Sequence, residues 1–299
     1  MTKMRMHTGA WLLLLAAIYL IGDWAGATAL SSLMWRSNLA FPKMYEGQYD
    51  AEIVGIGNSR GVYAFARPSM EEVTGRRTAN LSSNGLTPQV SECLLRDYLD
   101  RNPSPGVVLA EISFVETETT APVVMKLSPF FSESKRLFQL ACRLDPAYSV
   151  IGRISKLMQY NSELTMYAAM HFLTHGGQVV EATLSRKQIS PEFAADTDKM
   201  SPIELKTEEA ELQAVKRMAD ECRQRGIEFK LVLAGYLPAY RKKIANLQEW
   251  QDQIKKATGL EVIDLSDVGS NSAFFDRIHL NAEGSRRTAE MMVEQGLFD

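Results

Sequence analysis

Beyond residue 45, short apolar runs alternate with amphipathic stretches of helical period, and this alternation constrains the fold more than any other feature of the chain. Five runs read as strands: Ala51 to Ile56, Thr78 to Leu81, Gly106 to Ser113, Phe229 to Ala234 and Glu261 to Leu265. The helices between the later strands are well marked. Thr207 to Arg225 has Glu208 and Glu209 in its first turn, Leu212, Val215, Met218 and Cys222 along one face, and Gly226 as its stop. The next carries Leu247, Trp250 and Ile254 on one stripe and ends at Gly259. Strand-helix-strand alternation requires parallel pairing with helices on both faces, and such sheets bind ligands beyond the carboxyl ends of their strands. The spacing therefore predicts one α/β domain over residues 45–299. Between about residues 117 and 201 the strand pattern lapses into polar, partly helical sequence (Ser132 to Arg143, Tyr148 to His175), expected to be an insertion over the active edge of the sheet.

The amino terminus does not belong to this pattern. Lys3, Arg5 and His7 precede an uncharged apolar run from Trp11 to Gly22, and apolar character resumes after Asp23 through Ala25 to Trp35. Trp11 to Trp35 is 25 residues, about 37 Å of helix with a Trp for each interface. Residues 1–36 are expected to form a cytoplasmic N-terminus and one uncleaved transmembrane helix. A cleaved signal peptide, with Ala25-Gly26-Ala27 at the cut, is the alternative. Either way the remainder is expected on the far side of a bacterial inner membrane, in the periplasm. Asp23 stands near the middle of the span, where a carboxylate costs about 2.5–3.5 kcal/mol on insertion scales. It either faces another membrane protein or marks the outer end of a shorter helix.

Composition removes several function classes. With 33 Lys+Arg against 36 Asp+Glu and a net charge of −3, there is no electrostatic footprint for nucleic acid. Cys93, Cys142 and Cys222 are too few and too far apart for a disulfide framework or a CxxC-type zinc site. His171 and His175 have metal-ligand spacing but lack the Glu of HExxH and an evident third ligand, so a structural or surface role is expected of that pair.

Three motifs stand at strand ends. Gly57-Asn58-Ser59-Arg60-Gly61 follows the first strand. It fails as a dinucleotide fingerprint because Arg60 occupies a required glycine position. It matches a G-x-S-x-G elbow by letter, but that elbow follows a late strand. What remains is a serine on a tight turn at a strand's carboxyl end, a helix cap or a reactive hydroxyl. Asp276-Arg277-Ile278-His279 precedes the last helix, which Asn281 caps. An Asp three residues before a His can accept its Nδ1 hydrogen and leave Nε2 facing outward as a base. Asn80 to Pro88 is a turn in which Gly85 lets the backbone present an N–H to a ligand.

Taken together, a serine after strand one, a glycine turn after strand two and D-x-x-H before the final helix resemble the SGNH (GDSL-like) hydrolase superfamily. The layout is similar to its membrane-anchored periplasmic members, the alginate O-acetylation proteins and the lipoteichoic acid D-alanylation protein of the Dlt system. The resemblance covers residues 50–120 and 205–295. It implies a flavodoxin-like three-layer α/β/α sandwich with a five-stranded parallel sheet, and no cofactor. It makes Ser59 the nucleophile, His279 the base and Asp276 its orienting carboxylate, with the Ser59 and Gly85 N–H groups as oxyanion hole. Two positions depart from the pattern. Asn58 replaces the Asp of the GDS motif, and the third block, usually Gly-x-Asn-Asp, reads Ile112-Ser113-Phe114-Val115-Glu116. The missing Asn leaves the hole to Asn84, to Ser113 or to slower chemistry. The implied activity is serine-dependent acyl transfer, as O-acetylation, to a polysaccharide or envelope glycan. A multi-spanning membrane O-acyltransferase is the expected partner. A membrane-bound esterase or deacetylase, and a non-catalytic component of a polymer secretion complex, are the alternatives.

Overall fold

A computed structural model describes residues 8–37, 39–148, 154–175 and 184–298. His7 and the basic residues before it lie outside them. In chain order the main elements, leaving aside short helical turns, are α1 (Thr8–Trp35), β1 (Ile53–Ile56), α2 (Ser59–Ala64), α3 (Arg67–Thr74), β2 (Thr78–Asn80), α4 (Pro88–Arg101), β3 (Val107–Glu111), α5 (Lys135–Leu144), α6 (Glu163–His175), α7 (Pro191–Asp198), α8 (Glu209–Gln224), β4 (Glu228–Leu233), α9 (Leu247–Thr258), β5 (Val262–Asp264) and α10 (Ala282–Glu294). They group into two compact units. One holds the described residues up to 42 with those from 124 to 175, and the other holds 43–123 with those from 184 onward.

The second unit is built on a five-stranded, all-parallel sheet in the order β2-β1-β3-β4-β5, the flavodoxin-like arrangement. Register pairs Ile53 with Thr78 on one side and Val107 on the other, Val107 with Glu228, and Leu231 with Val262. All carboxyl ends therefore share one edge. The order reverses between β1 and β3, so the loops after these two strands flank the switch point where such sheets bind ligands. Every residue of β1 and β3 is buried, as central parallel strands covered on both faces must be. Edge strands β2 and β5 pair on one side only and are three residues each, which is why Leu81, Glu261 and Leu265 fall outside the strands expected of them. The core joins Ile53, Leu109 and Val232 of the sheet to Phe65, Phe274, Leu280 and Met292, each large side chain contributing about 1.5–3 kcal/mol by burial. Helices α8 and α9 end as expected at Gly226 and Gly259, with φ of +71° and +76°, a conformation that glycine adopts without a Cβ clash.

In the first unit, α1 is long and apolar enough to cross a membrane, with a mean hydropathy of 1.7. Part of the expected insertion, from residue 124 to 175, is compact with α1, whereas α7 belongs to the sheet unit. In the partly helical stretch expected from Tyr148 to His175, Leu157–Tyr160 is a 3₁₀ turn and α6 starts at Glu163, residues 149–153 lying outside the described ones. Ser162 sets that start, its Oγ accepting from the Thr165 amide at 3.2 Å. Asp23 accepts from Ser155 Oγ and from the amides of Lys156 at 2.8 Å and Leu157 at 3.2 Å. The sequence left Asp23 to a second membrane protein or to a helix end. Here it bonds to the turn before α6.

Candidate active site

Ser59 is the first residue of α2, directly beyond β1. The turn that puts it there is held by Asn58, whose Oδ1 accepts from the Arg60 amide at 2.9 Å. A Cβ at Gly57 would stand 2.9 Å from Glu111 Cβ, and one at Gly61 would stand 2.5 Å from Ser82 Oγ. Both glycines thus let α2 sit close against β3 and the loop after β2. The start of α2 leaves the Ser59 N–H without an intrahelical acceptor. Among the described residues, neither this N–H nor that of Gly85 donates to a protein acceptor.

His279 approaches from the loop between β5 and α10. Its Nε2 lies 2.8 Å from Ser59 Oγ, and its Nδ1 lies 2.7 Å from Asp276 Oδ2. The other Asp276 oxygen accepts from the amides of Ile278 at 2.9 Å and His279 at 2.8 Å. Asp276 therefore folds the loop and orients the ring at once. Burial alone would raise its carboxyl, but the hydrogen bonds from His279 and the two amides outweigh this and hold it below the usual carboxylate value. With a carboxylate on Nδ1, the hydrogen belongs on that nitrogen and Nε2 carries the lone pair toward Ser59. The ring plane is fixed by Phe275, stacked at 5.6 Å, and Tyr63, edge-on at 5.5 Å. Sequence reasoning missed both aromatics because nothing in their spacing points at a histidine.

The loop itself is pressed onto α10. Asn281 caps that helix through Gly284 N at 3.1 Å and donates to the carbonyls of Ser272 at 2.6 Å and Lys187 at 3.0 Å. A Cβ at Gly284 would lie 2.2 Å from the Ala273 carbonyl oxygen, so only glycine permits the approach.

Gly85 sits at φ +70° in a turn closed by Leu86 N to Ser83 O at 3.1 Å, with Asn84 before it. Three hydrogen bonds tie this loop to the serine turn and its helix. Ser83 N donates to Gly57 O at 3.2 Å, and Asn80 Nδ2 donates to the carbonyls of Gly61 and Val62 at 3.2 and 3.1 Å. The third block forms a 3₁₀ turn after β3. There Ser113 Oγ donates to Glu111 Oε2 at 2.6 Å and accepts from Asn58 Nδ2 at 3.4 Å. Its proton is engaged, so Ser113 is not a donor to an oxyanion.

Beneath Ser59 lies a buried charge cluster that the sequence did not reveal. Arg60 and Glu111 are 3% and 0% exposed, with Nη1 3.6 Å from Oε1. Arg60 Nη2 donates to the carbonyls of Ala234 and, at 3.1 Å, Gly235, and its guanidinium lies 3.7 Å over the Tyr236 ring. Burial alone would lower the Arg60 pKa, but Tyr236, Glu111 and Glu116 together raise it. Half-buried Glu116 is pushed up to about 7, chiefly by burial, opposed by Arg60 and reinforced by Glu111.

Among the described residues no group of three or more His, Cys, Asp or Glu side chains could hold a metal. His171 lies 6.5 Å from the Tyr167 ring on α6, and the His175 side chain lies outside the described ones. The cysteines are free, and burial pushes the Cys222 thiol up to about 12.

No family model matches the chain, and no curated protein matches it. It is similar to a solved structure, a GDSL-like lipase from Bacteroides thetaiotaomicron, with a TM-score of 0.37 and 14% identity over 92% of this chain and 96% of that one. The chemistry below therefore rests on the geometry above.

Proposed function

We propose that this chain catalyses acyl transfer through an ester on Ser59. The observation that carries the reading is the continuous hydrogen-bonded line from Ser59 Oγ to His279 Nε2 at 2.8 Å and from Nδ1 to Asp276 at 2.7 Å. As Ser59 Oγ attacks an acyl carbonyl, His279 Nε2 takes its proton, and the imidazolium is stabilised by Asp276. The Ser59 and Gly85 N–H groups hold the oxyanion. The imidazolium gives its proton to the departing oxygen, leaving an acyl-serine. An acceptor hydroxyl then attacks that ester, loses its proton to His279, and Ser59 Oγ leaves and takes the proton back.

The acceptor we propose is a hydroxyl of an envelope or extracellular polysaccharide, and the donated group is acetyl. The resemblance to anchored polymer-acylating proteins supports this, as does α1. A helix whose Asp23 is bonded to Ser155, Lys156 and Leu157 is part of the folded chain, which favours retention over cleavage. In this reading α1 spans the inner membrane with its basic end in the cytoplasm, the sheet unit works in the periplasm, and a multi-spanning O-acyltransferase supplies the acetyl group. Hydrolysis is the second reading. Ser59 and His279 are only half-buried, so water reaches the acyl ester unless an acceptor covers it.

The test is to incubate the full chain in detergent with p-nitrophenyl acetate. Nitrophenol should burst to one equivalent, with an acetyl adduct on Ser59 by mass spectrometry. Adding acetyl-free alginate or a similar glycan should then divert acetyl from acetate to the glycan. Acetate release unchanged by any glycan would favour the esterase, and nitrophenol release by folded protein no faster than that of Ser59→Ala would contradict both readings.

A further inference from the structure

Residues 9–22 of α1 are exposed all round. They measure about 21 Å of helix, whereas a bilayer's hydrocarbon core is about 30 Å thick and takes about 20 residues. Counted from Gly9, the core extends to about residue 28 and so encloses Asp23 and Gly26. These are the positions where the turn before α6 packs. Asp23 bonds to Ser155, Lys156 and Leu157, and a Cβ at Gly26 would lie 3.1 Å from Leu157 Cδ1. The pairing is reciprocal. In hydrocarbon an unpartnered carboxylate and two unpartnered amides would each be costly, and here they satisfy one another.

Helix α6 packs on α1 through its buried side, Thr165 and Ala168, and turns Met166, Tyr167, Met170 and Leu173 outward at 68, 56, 61 and 81% exposure. Their spacing of one, four and seven residues makes a single helical stripe. Residues 164–175 contain no Asp, Glu, Lys or Arg. Glu163, at the start of the helix, pairs with Lys126 at 3.8 Å. An uncharged, exposed stripe of this kind marks an interaction surface, and it is continuous with the lipid-facing surface of α1.

We infer that residues 154–175 lie in the outer leaflet of the membrane against α1, with the stripe from Met166 to Leu173 facing lipid tails. The chain is then held by two elements rather than one, and the Lys156 side chain reaches up to the headgroups. The inference rests on α1 being embedded in lipid, and the experiment separates the two.

The full chain, with Cys93→Ser and Cys142→Ser leaving only buried Cys222, is placed in nanodiscs of phosphatidylethanolamine and phosphatidylglycerol. Nitroxides are attached at Leu13→Cys, Met170→Cys, Leu173→Cys and, as an aqueous reference in the sheet unit, Lys199→Cys. Collision with oxygen, which concentrates in lipid, is compared with collision with a water-soluble nickel chelate. The oxygen-to-nickel ratio should be several-fold higher at 13, 170 and 173 than at 199. Ratios at 170 and 173 equal to that at 199, with 13 still in lipid, would overturn the inference and leave the anchor standing. Shielding of 170 and 173 from both reagents would overturn it in favour of a protein partner. An aqueous ratio at 13 would remove the anchor and the inference together.

Discussion

Replacing Glu111 with Gln keeps the shape of a buried side chain and removes its charge. Glu111 accepts from Ser113 Oγ at 2.6 Å through Oε2 and from the Ala234 amide at 3.3 Å through Oε1; Gln keeps its oxygen on the Ala234 amide and turns its NH₂ to Ser113 Oγ, which then accepts instead of donating. What is lost is the attraction to Arg60. At 3.6 Å two unit charges interact by about 4.6 kcal/mol with an effective dielectric constant of about 20, in keeping with the roughly 3–5 kcal/mol measured when buried pairs are broken. Glu116 returns part of this. Its carboxyl is held up to about 7 by burial and by Glu111, so in the variant it ionises more readily and stands beside Arg60. A net loss of about 3 kcal/mol should lower Tm by about 6–12 °C for a unit of this size.

The pH dependence has a definite sign. Folded wild type keeps the Glu116 proton to about 7, whereas the unfolded chain releases it near 4.5. The folded state thus binds more protons in this window, and stability falls as pH rises through it. Removing Glu111 weakens that fall, so the gap between wild type and Glu111→Gln should be widest near the acid end of the window and narrow above pH 7. Thermal unfolding in detergent, followed by the fluorescence of Trp250, which is fully buried in the sheet unit, reads both effects. A shift under about 1 °C, or a gap that does not change with pH, would refute the reasoning.

Further outcomes follow from other contacts. Asp276→Asn keeps an oxygen for the Ile278 and His279 amides but turns an NH₂ toward Nδ1, forcing the hydrogen onto Nε2. Turnover of an activated acetyl ester should drop by about 10⁴ with little change in Tm. Gly284→Ala must move the Ala273 carbonyl, so unfolding should come about 1–3 kcal/mol earlier and the resonances of the Asp276 to His279 loop should shift in NMR spectra. Glu211 is fully buried and accepts from the Gln89 amide, Gln89 Nε2 and the Thr119 amide at 3.0, 2.8 and 2.8 Å. Glu211→Ala should destabilise by at least about 2 kcal/mol in thermal unfolding.

What the sequence disclosed and what it concealed divide along sequence distance. Strands such as Ile53 to Ile56 were legible because a buried parallel strand is an apolar run with turn residues at its ends, a local property. The bond from Asp276 to His279 was legible for the same reason, since three residues of turn are enough to form it. The approach of His279 to Ser59 across 220 positions came from a resemblance in motif order. Arg60 and Glu111 were hidden because only the packing of α2 on β3, with the carbonyls of Ala234 and Gly235 after β4, brings the two charges together and buries them. Nothing in the sequence singles out Glu211, because its partners are at the start of α4 and in the loop after β3. Asp23 drew attention correctly as a polar residue in an apolar helix, but its partners lie more than 130 positions away.

The central claim is that Ser59 is an activated nucleophile, and a fluorophosphonate tests it without knowledge of the substrate. The full chain in detergent should take up one equivalent, located at Ser59 by peptide mass spectrometry, and both Ser59→Ala and His279→Ala should lose the adduct while unfolding at the wild-type temperature. Folded wild type that takes up no probe, or Ser59 that reacts equally well without His279, would contradict the account.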